Sequence, residues 1–145
     1  MYRWVLIAHS LGRWLVIVAG VTVIFVETAR LWSGKPWAPI GPQLGRFFRI
    51  VVDVQVLMGA ALYLLLSPLT TVVLSTTIAR LPSDSDAQFF SVVHPAIMMA
   101  SFIGVHVSSV MIRRGRTDAS RHRRSIMFYG VLLLLVLSGM PWWRP

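Results

Sequence analysis

Two histidines, His9 and His94, lie in separate hydrophobic segments of the chain. Each is about five residues from the same end of its segment, so we expect both side chains at one depth, to within roughly one helical turn. A histidine is polar, can ligate a metal, and is costly inside lipid. Two histidines at one depth therefore point to a shared ligand held between two helices.

The first segment carries further polar residues on the same face as His9. Steps of three or four residues connect His9, Arg13, Val16, Gly20, Val23 and Glu27. Such spacing puts side chains on one face of a helix. Because ionisable groups in membrane helices face the protein interior, we expect this face to point inward. A simpler interpretation stays open, in which His9 hydrogen-bonds to a carbonyl and Arg13 reaches towards the membrane surface.

The other two histidines could form a second pair. His106 follows His94 by twelve residues, which is about 120° around the helix and ~18 Å along it. His122 lies in the basic run Arg121–Arg124, where the next membrane segment is about to begin. We expect His106 and His122 to be candidates for a second shared ligand, with a solvated His122 as the alternative.

One acidic residue lies within the second hydrophobic segment. Asp53 follows Arg49 by four residues, a spacing that allows an ion pair on a helix surface. Contact with Arg13, or a role in proton uptake, are the alternatives. The methionines nearby, Met58, Met98 and Met99, are expected to be packing residues.

The composition is that of a small membrane protein. Of 145 residues, 56% are hydrophobic and only 13% are charged, and the mean hydropathy is +0.70. Soluble domains carry about 25% charged residues. The length suits one domain, residues 1–145. The chain has no cysteine, which excludes disulfides, thiolate sites and covalent haem attachment.

The pattern predicts an all-α, integral membrane four-helix bundle. Four apolar stretches cover about residues 4–28, 50–66, 89–112 and 126–143, each near the roughly 20 residues that cross a bilayer. The first is too long for a signal peptide and contains Arg13. Within the long connection between the second and third stretches, residues 70–80 are expected to form a short helix on the outer surface.

The basic residues predict orientation. Ten lie in the connections after the first and third stretches: Arg30, Lys35, Arg46, Arg49, Arg113, Arg114, Arg116, Arg121, Arg123 and Arg124. Three lie on the other side: Arg3, Arg80 and Arg144. The positive-inside rule then places both termini outside the cytoplasm. It also accounts for the net charge of +9 without nucleic acid as a partner.

A b-type haem suits the first histidine pair best. It needs two axial nitrogens from facing helices, whereas zinc wants three or four ligands. Copper held by His94 and Met98 is an alternative. Arg3, and Arg13 if the haem sits low, could neutralise the propionates. One haem is expected, and a second if His106 and His122 hold another.

Several short motifs resemble one family. They are the run His9–Trp14, Asp53-Val54-Gln55 with Gly59 and Tyr63, His94-Pro95, His106, His122-Arg123 and Pro141-Trp142. They resemble small four-helix proteins of the bacterial inner membrane called cytochrome b or cytochrome b-like, over nearly the whole chain. Similarity to cytochrome b561-type proteins and to the halves of haem A synthase is looser. Val93 stands where that family commonly has an acidic residue.

The resemblance implies haem, and with the histidine pair it favours electron transfer. Exchange with a quinone, or membership of a larger respiratory complex as a quinol-linked oxidoreductase or electron-transfer subunit, are the expected contexts. Two other functions stay open. One is a non-redox membrane subunit or anchor of a larger complex, and the other is a small transporter or proton pathway that uses Asp53, Glu27 and the histidines.

Overall fold

A computed structural model describes residues 1–67, 70 and 85–143 of the chain. Its long helices are α1 (Tyr2–Trp32), α2 (Ile40–Ala61), α3 (His94–Arg113) and α4 (Asp118–Ser138). Within these described residues there is no strand, so the all-α prediction is confirmed. The helix expected over residues 70–80 lies outside the described residues except at Thr70.

Three stretches are long and apolar enough to cross a membrane: Tyr2–Trp32, Ile40–Leu66 and Asp86–Arg113. Their outward faces carry large apolar side chains, among them Trp14, Leu57 and Ile103. Such a surface suits a lipid environment. The predicted membrane protein is therefore supported for these three segments, while α4 begins with several arginines in its first two turns.

Two helices begin earlier than the sequence predicts. The second starts at Ile40 instead of residue 50, since Pro42 fits the first turn, where a missing N–H costs nothing. The fourth starts at Asp118 instead of residue 126, because the Thr117 hydroxyl accepts a hydrogen bond from the Ser120 N–H at 3.1 Å. The prediction took the first apolar residue as the start of each helix, whereas α2 includes the polar turns before residue 50 and α4 starts at its Thr117 cap. At its other end α4 stops at Ser138, short of residue 143.

The four helices pack in a closed cycle. Helix α1 packs on α2 and α4, and α3 packs on the same two neighbours, so α1 and α3 are diagonally opposite. The enclosed apolar side chains include Val16, Val23, Phe48, Val105 and Val136. On α1, the stripe predicted to face inward does so, with Val16, Gly20, Val23 and Glu27 all buried. The interior between α1 and α3 is therefore where their polar side chains can meet.

A π-helical turn interrupts the regular helix beside His94. Residues Phe89–Val93 form this turn directly before α3, and Leu62–Leu66 form a second one at the end of α2. Pro95 has no N–H to give to the carbonyl of Ser91, four residues earlier. The Tyr63 hydroxyl donates to that carbonyl instead, at 2.9 Å. Tyr63 thus ties the end of α2 to the start of α3 at the level of His94.

Replacing Tyr63 by phenylalanine tests this tie. The Tyr63→Phe variant leaves the Ser91 carbonyl without its donor, and we expect the free energy of unfolding to fall by about 1–3 kcal/mol. Thermal or denaturant unfolding in detergent measures the loss. The matched control is Tyr2→Phe, which removes an exposed hydroxyl in the first turn of α1 and should change stability little. Equal stability of both variants would contradict the proposed tie.

Candidate histidine site

His9 and His94 meet in the interior of the structure. Their ring centroids are 6.2 Å apart and the ring planes are nearly perpendicular, at 84°. One histidine comes from α1 and the other from the diagonally opposite α3, so the rings approach each other across the centre of the packed helices. The structure therefore brings together the two residues that were expected at one depth.

A carbonyl at the end of α4 fixes the orientation of His94. The His94 Nδ1 lies 2.7 Å from the Gly139 carbonyl oxygen. A carbonyl can only accept, so Nδ1 must donate, which leaves the lone pair on Nε2. The last carbonyls of a helix lack intrahelical partners, and Gly139 follows α4 directly. This is how metal-binding histidines are commonly oriented, with one nitrogen anchored and the other facing the ligand.

His9 is held against glycine and glutamine on α2. A Cβ at Gly59 would lie 3.2 Å from the His9 Cε1, so a side chain there would displace the ring by a few tenths of an ångström. The Gln55 amide donates to the His9 carbonyl at 2.7 Å. Gly12 makes that approach possible, since a Cβ there would collide with the Gln55 side-chain oxygen. The His9 Nδ1 is buried and has no hydrogen-bond partner, which a core histidine serving only structure would normally have.

The donor set fits a haem iron better than a bare metal ion. Across residues 1–67, 70 and 85–143, no three His, Cys, Asp or Glu side chains lie close enough to hold a metal. Zinc sites need three or four such ligands, whereas haem needs two axial nitrogens. Metal–imidazole bonds are about 2 Å long, so an iron that both histidines held would lie between their two rings.

Aromatic rings shield His94. The ring centroids of Phe89 and Phe90 lie 5.9 and 6.1 Å from that of His94. Phe89 also contacts Trp143, at 4.8 Å between centroids. Met98, the alternative copper ligand, packs its methyl end against Gly139. The surroundings of His94 are therefore apolar, and they suit a hydrophobic cofactor.

The two arginines proposed for propionates differ in position. Arg13 is partly buried one turn from His9, and its guanidinium lies 5.5 Å from the centre of the Trp14 ring. Arg3 is exposed in the first turn of α1. Of the two, Arg13 shares the inward face of α1 with His9, so it is the closer candidate by helix position.

The predicted second histidine pair is wrong. The His106 Nε2 lies 2.9 Å from an Asp53 carboxylate oxygen on α2, while His122 bonds to Glu27 on α1. The 120° rotation from His94 turns His106 towards α2 and away from the centre. The expected Asp53–Arg49 ion pair is replaced by this contact.

His122 and Glu27 form a buried pair that the sequence did not predict. Both are essentially inaccessible, at 1% and 0% exposed. The His122 Nδ1 contacts a Glu27 carboxylate oxygen, and its Nε2 lies 3.1 Å from the Lys35 carbonyl. The Trp37 ring packs edge-on against the imidazole, with centroids 5.0 Å apart. The solvated alternative for His122 is therefore wrong as well.

A signal for this pair was present in the sequence. Thr117 is a good N-cap, and starting the helix there gives His122, Ser125, Tyr129, Leu132 and Val136 a common face. All five are buried. A cavity of about 200 Å³ opens beside His122, between the Gly34–Pro36 loop and the first turn of α4. It lies at the end opposite to His9 and His94, so it does not belong to their site.

Comparison with known proteins returned no relatives. No protein family, no curated protein and no solved structure matches the chain.

Removing Glu27 should be far more damaging than removing an exposed carboxylate. The Glu27→Ala variant leaves His122 buried without its partner, and we expect a loss of about 3–5 kcal/mol in the free energy of unfolding. The matched control is Asp118→Ala, since Asp118 makes a half-exposed contact with Arg121 at 3.6 Å that should contribute at most about 1 kcal/mol. Denaturant titration in micelles compares the two, and similar losses would refute a stabilising role for the Glu27–His122 pair.

Proposed function

We propose that the chain is a b-type cytochrome of the bacterial inner membrane, an N-out, C-out four-helix bundle that transfers electrons through haem held by His9 and His94. The convergence of these two histidines from diagonally opposite helices carries the proposal. In support, His94 is anchored through Nδ1 and the His9 Nδ1 is buried without a partner. Haem iron between two histidine nitrogens supplies one-electron transfer when bound.

The protein side chains have separate tasks in this proposal. The Gly139 carbonyl selects the His94 tautomer that presents Nε2 as a ligand. Gly59 leaves space for the His9 ring, and Phe89 with Phe90 keeps water from the imidazole of His94. Arg13 supplies a positive charge one turn below His9 for a cofactor carboxylate, and exposed Arg3 offers another at the membrane surface.

The distribution of charge supports the orientation. The connections that join α1 to α2 and α3 to α4 lie at the end of the protein that holds Glu27 and His122, and they are rich in arginine. Such connections are retained in the cytoplasm. His9 and His94 then lie near the outer face, within reach of a periplasmic electron donor or a quinone in the bilayer.

Haem content and its dependence on two histidines test the proposal. We expect about one haem per chain in a pyridine haemochrome assay, and a sharp α band after reduction, as in low-spin bis-histidine cytochromes. His9→Ala and His94→Ala should each lose the low-spin spectrum, because one axial nitrogen is missing. His106→Ala is the matched control and should keep it, since His106 contacts Asp53 instead.

Helical content by circular dichroism and elution from a sizing column verify that each histidine variant folds. A folded, colourless wild-type protein after expression with adequate haem would exclude the proposal. So would loss of haem from His106→Ala to the same extent as from His9→Ala.

Single-cysteine labelling tests the orientation, because the natural chain has no cysteine. We place one cysteine at Trp142, exposed after α4, and one at Arg116, exposed between α3 and α4. A maleimide that does not cross membranes should label Trp142→Cys in intact spheroplasts, and Arg116→Cys only after permeabilisation. The reverse pattern would establish the opposite topology.

A further inference from the structure

Asp53 and His106 contact each other within membrane-spanning stretches, where an ionisable side chain is costly. It joins α2 to α3 with the His106 Nε2 2.9 Å from the Asp53 Oδ1. The Asp53 side chain is 32% exposed and the His106 side chain is 47% exposed. Both helices belong to stretches that are long and apolar enough to cross a membrane. The pair therefore opens outward from the helices instead of facing the enclosed core.

The surface around the pair is apolar. Exposed neighbours one turn or less away are Val54 and Leu57 on α2, with Ile103 and Val107 on α3. His106 precedes Arg113 by seven residues, so it lies about 10 Å from the level of the arginines, in the direction of His94. Ionisable groups in such a position are rare, and where they occur they commonly mark pathways or binding sites.

The hydrogen-bond pattern defines what could bind. A carboxylate accepts, so the His106 Nε2 donates to Asp53 and the Nδ1 lone pair stays available to accept from a hydroxyl. The Phe102 ring lies 4.9 Å from the imidazole between centroids and extends an aromatic wall beside it. An apolar ring that carries hydroxyl or carbonyl groups, and that arrives through the lipid, matches this combination.

We propose that Asp53, His106 and Phe102 form a binding site for the head group of a lipid-soluble quinone or hydroquinone. The His106 imidazole accepts a hydrogen bond from a hydroquinone hydroxyl through its Nδ1. Phe102 packs beside the quinone ring, and the isoprenoid tail stays among the exposed apolar side chains. The inference deepens the proposed electron-transfer function and rests on it for its purpose, since a redox protein gives a quinone a reason to bind.

The depth of the Asp53–His106 site in the membrane is compatible with the proposed electron transfer. His106 is twelve residues from His94 on the same helix, a rise of about 18 Å. The quinone site would lie towards the cytoplasmic side and the His9–His94 site towards the outer side. A second copy of the chain covering the polar pair is the competing explanation, and the experiment distinguishes the two.

Photolabelling with an azido-quinone in nanodiscs tests the site. We expect label on the peptides of α2 and α3 that hold Asp53 and His106, and competition by unlabelled decyl-ubiquinone. His106→Phe and Asp53→Asn each remove one polar partner, so labelling should fall about tenfold or more. Ser109→Ala is the matched control, since the Ser109 hydroxyl bonds only to the carbonyl of His106 within α3 and should not affect labelling.

The outcomes separate this inference from the haem proposal. Haem bound in the wild-type protein, with labelling unchanged in both variants, overturns the quinone site and leaves the cytochrome proposal standing. Specific labelling of a protein that binds no haem would overturn the cytochrome proposal and leave the quinone site standing. A shift from dimer to monomer in His106→Phe, without any specific labelling, would assign the pair to contact between two copies and overturn the inference.

Discussion

The hydrogen bond between Glu27 and His122 sets the register of the two helices on which the histidine site depends. His9 lies 18 residues before Glu27 on α1, and Gly139 lies 17 residues after His122. At a rise of 1.5 Å per residue these spacings correspond to about 27 and 26 Å. Because α1 and α4 run in opposite directions, pairing Glu27 with His122 at one end brings Gly139 to the depth of His9 at the other. There its carbonyl holds His94.

Many of the polar side chains in the interior bind to main-chain carbonyls. Tyr63 donates to Ser91, His94 to Gly139, and Arg124 to Met111 at 2.8 Å. Carbonyls at helix ends and near proline lack the usual helical partner, and an unpaired carbonyl is costly where water is absent. In each pair the side-chain donor and the main-chain carbonyl thus satisfy each other's need for a hydrogen bond. For His94 the consequence is chemical, because anchoring one ring nitrogen as a donor leaves the lone pair on the other nitrogen.

The sequence predicted the parts of the structure that follow from periodicity. The spacing from His9 to Glu27 indicated a single buried face, and the positions of His9 and His94 in their segments indicated a common depth. The partners of Asp53 and His122 could not be predicted in this way, because they depend on how each helix is rotated about its axis and on where α4 begins. The start of α4 is decided by the Thr117 cap, a local hydrogen bond that a hydropathy profile does not show. The π-helical turns were not predicted either, although Pro95 marked the position where the helical hydrogen-bond ladder had to change.

The uneven distribution of arginine distinguishes α4 from the other three helices. Three stretches are apolar enough to partition into the bilayer as they are synthesised, but α4 begins with Arg121, Arg123 and Arg124. These charges lie in the first two turns of α4, at the end of the helix that holds His122, and an apolar run follows them. Once α1 is in place, its Glu27 offers a partner for His122, and the buried face of α4 has a surface to pack on. Packing on α1 therefore covers the buried face of α4 and gives His122 its partner, while the three arginines stay in the first two turns of the helix.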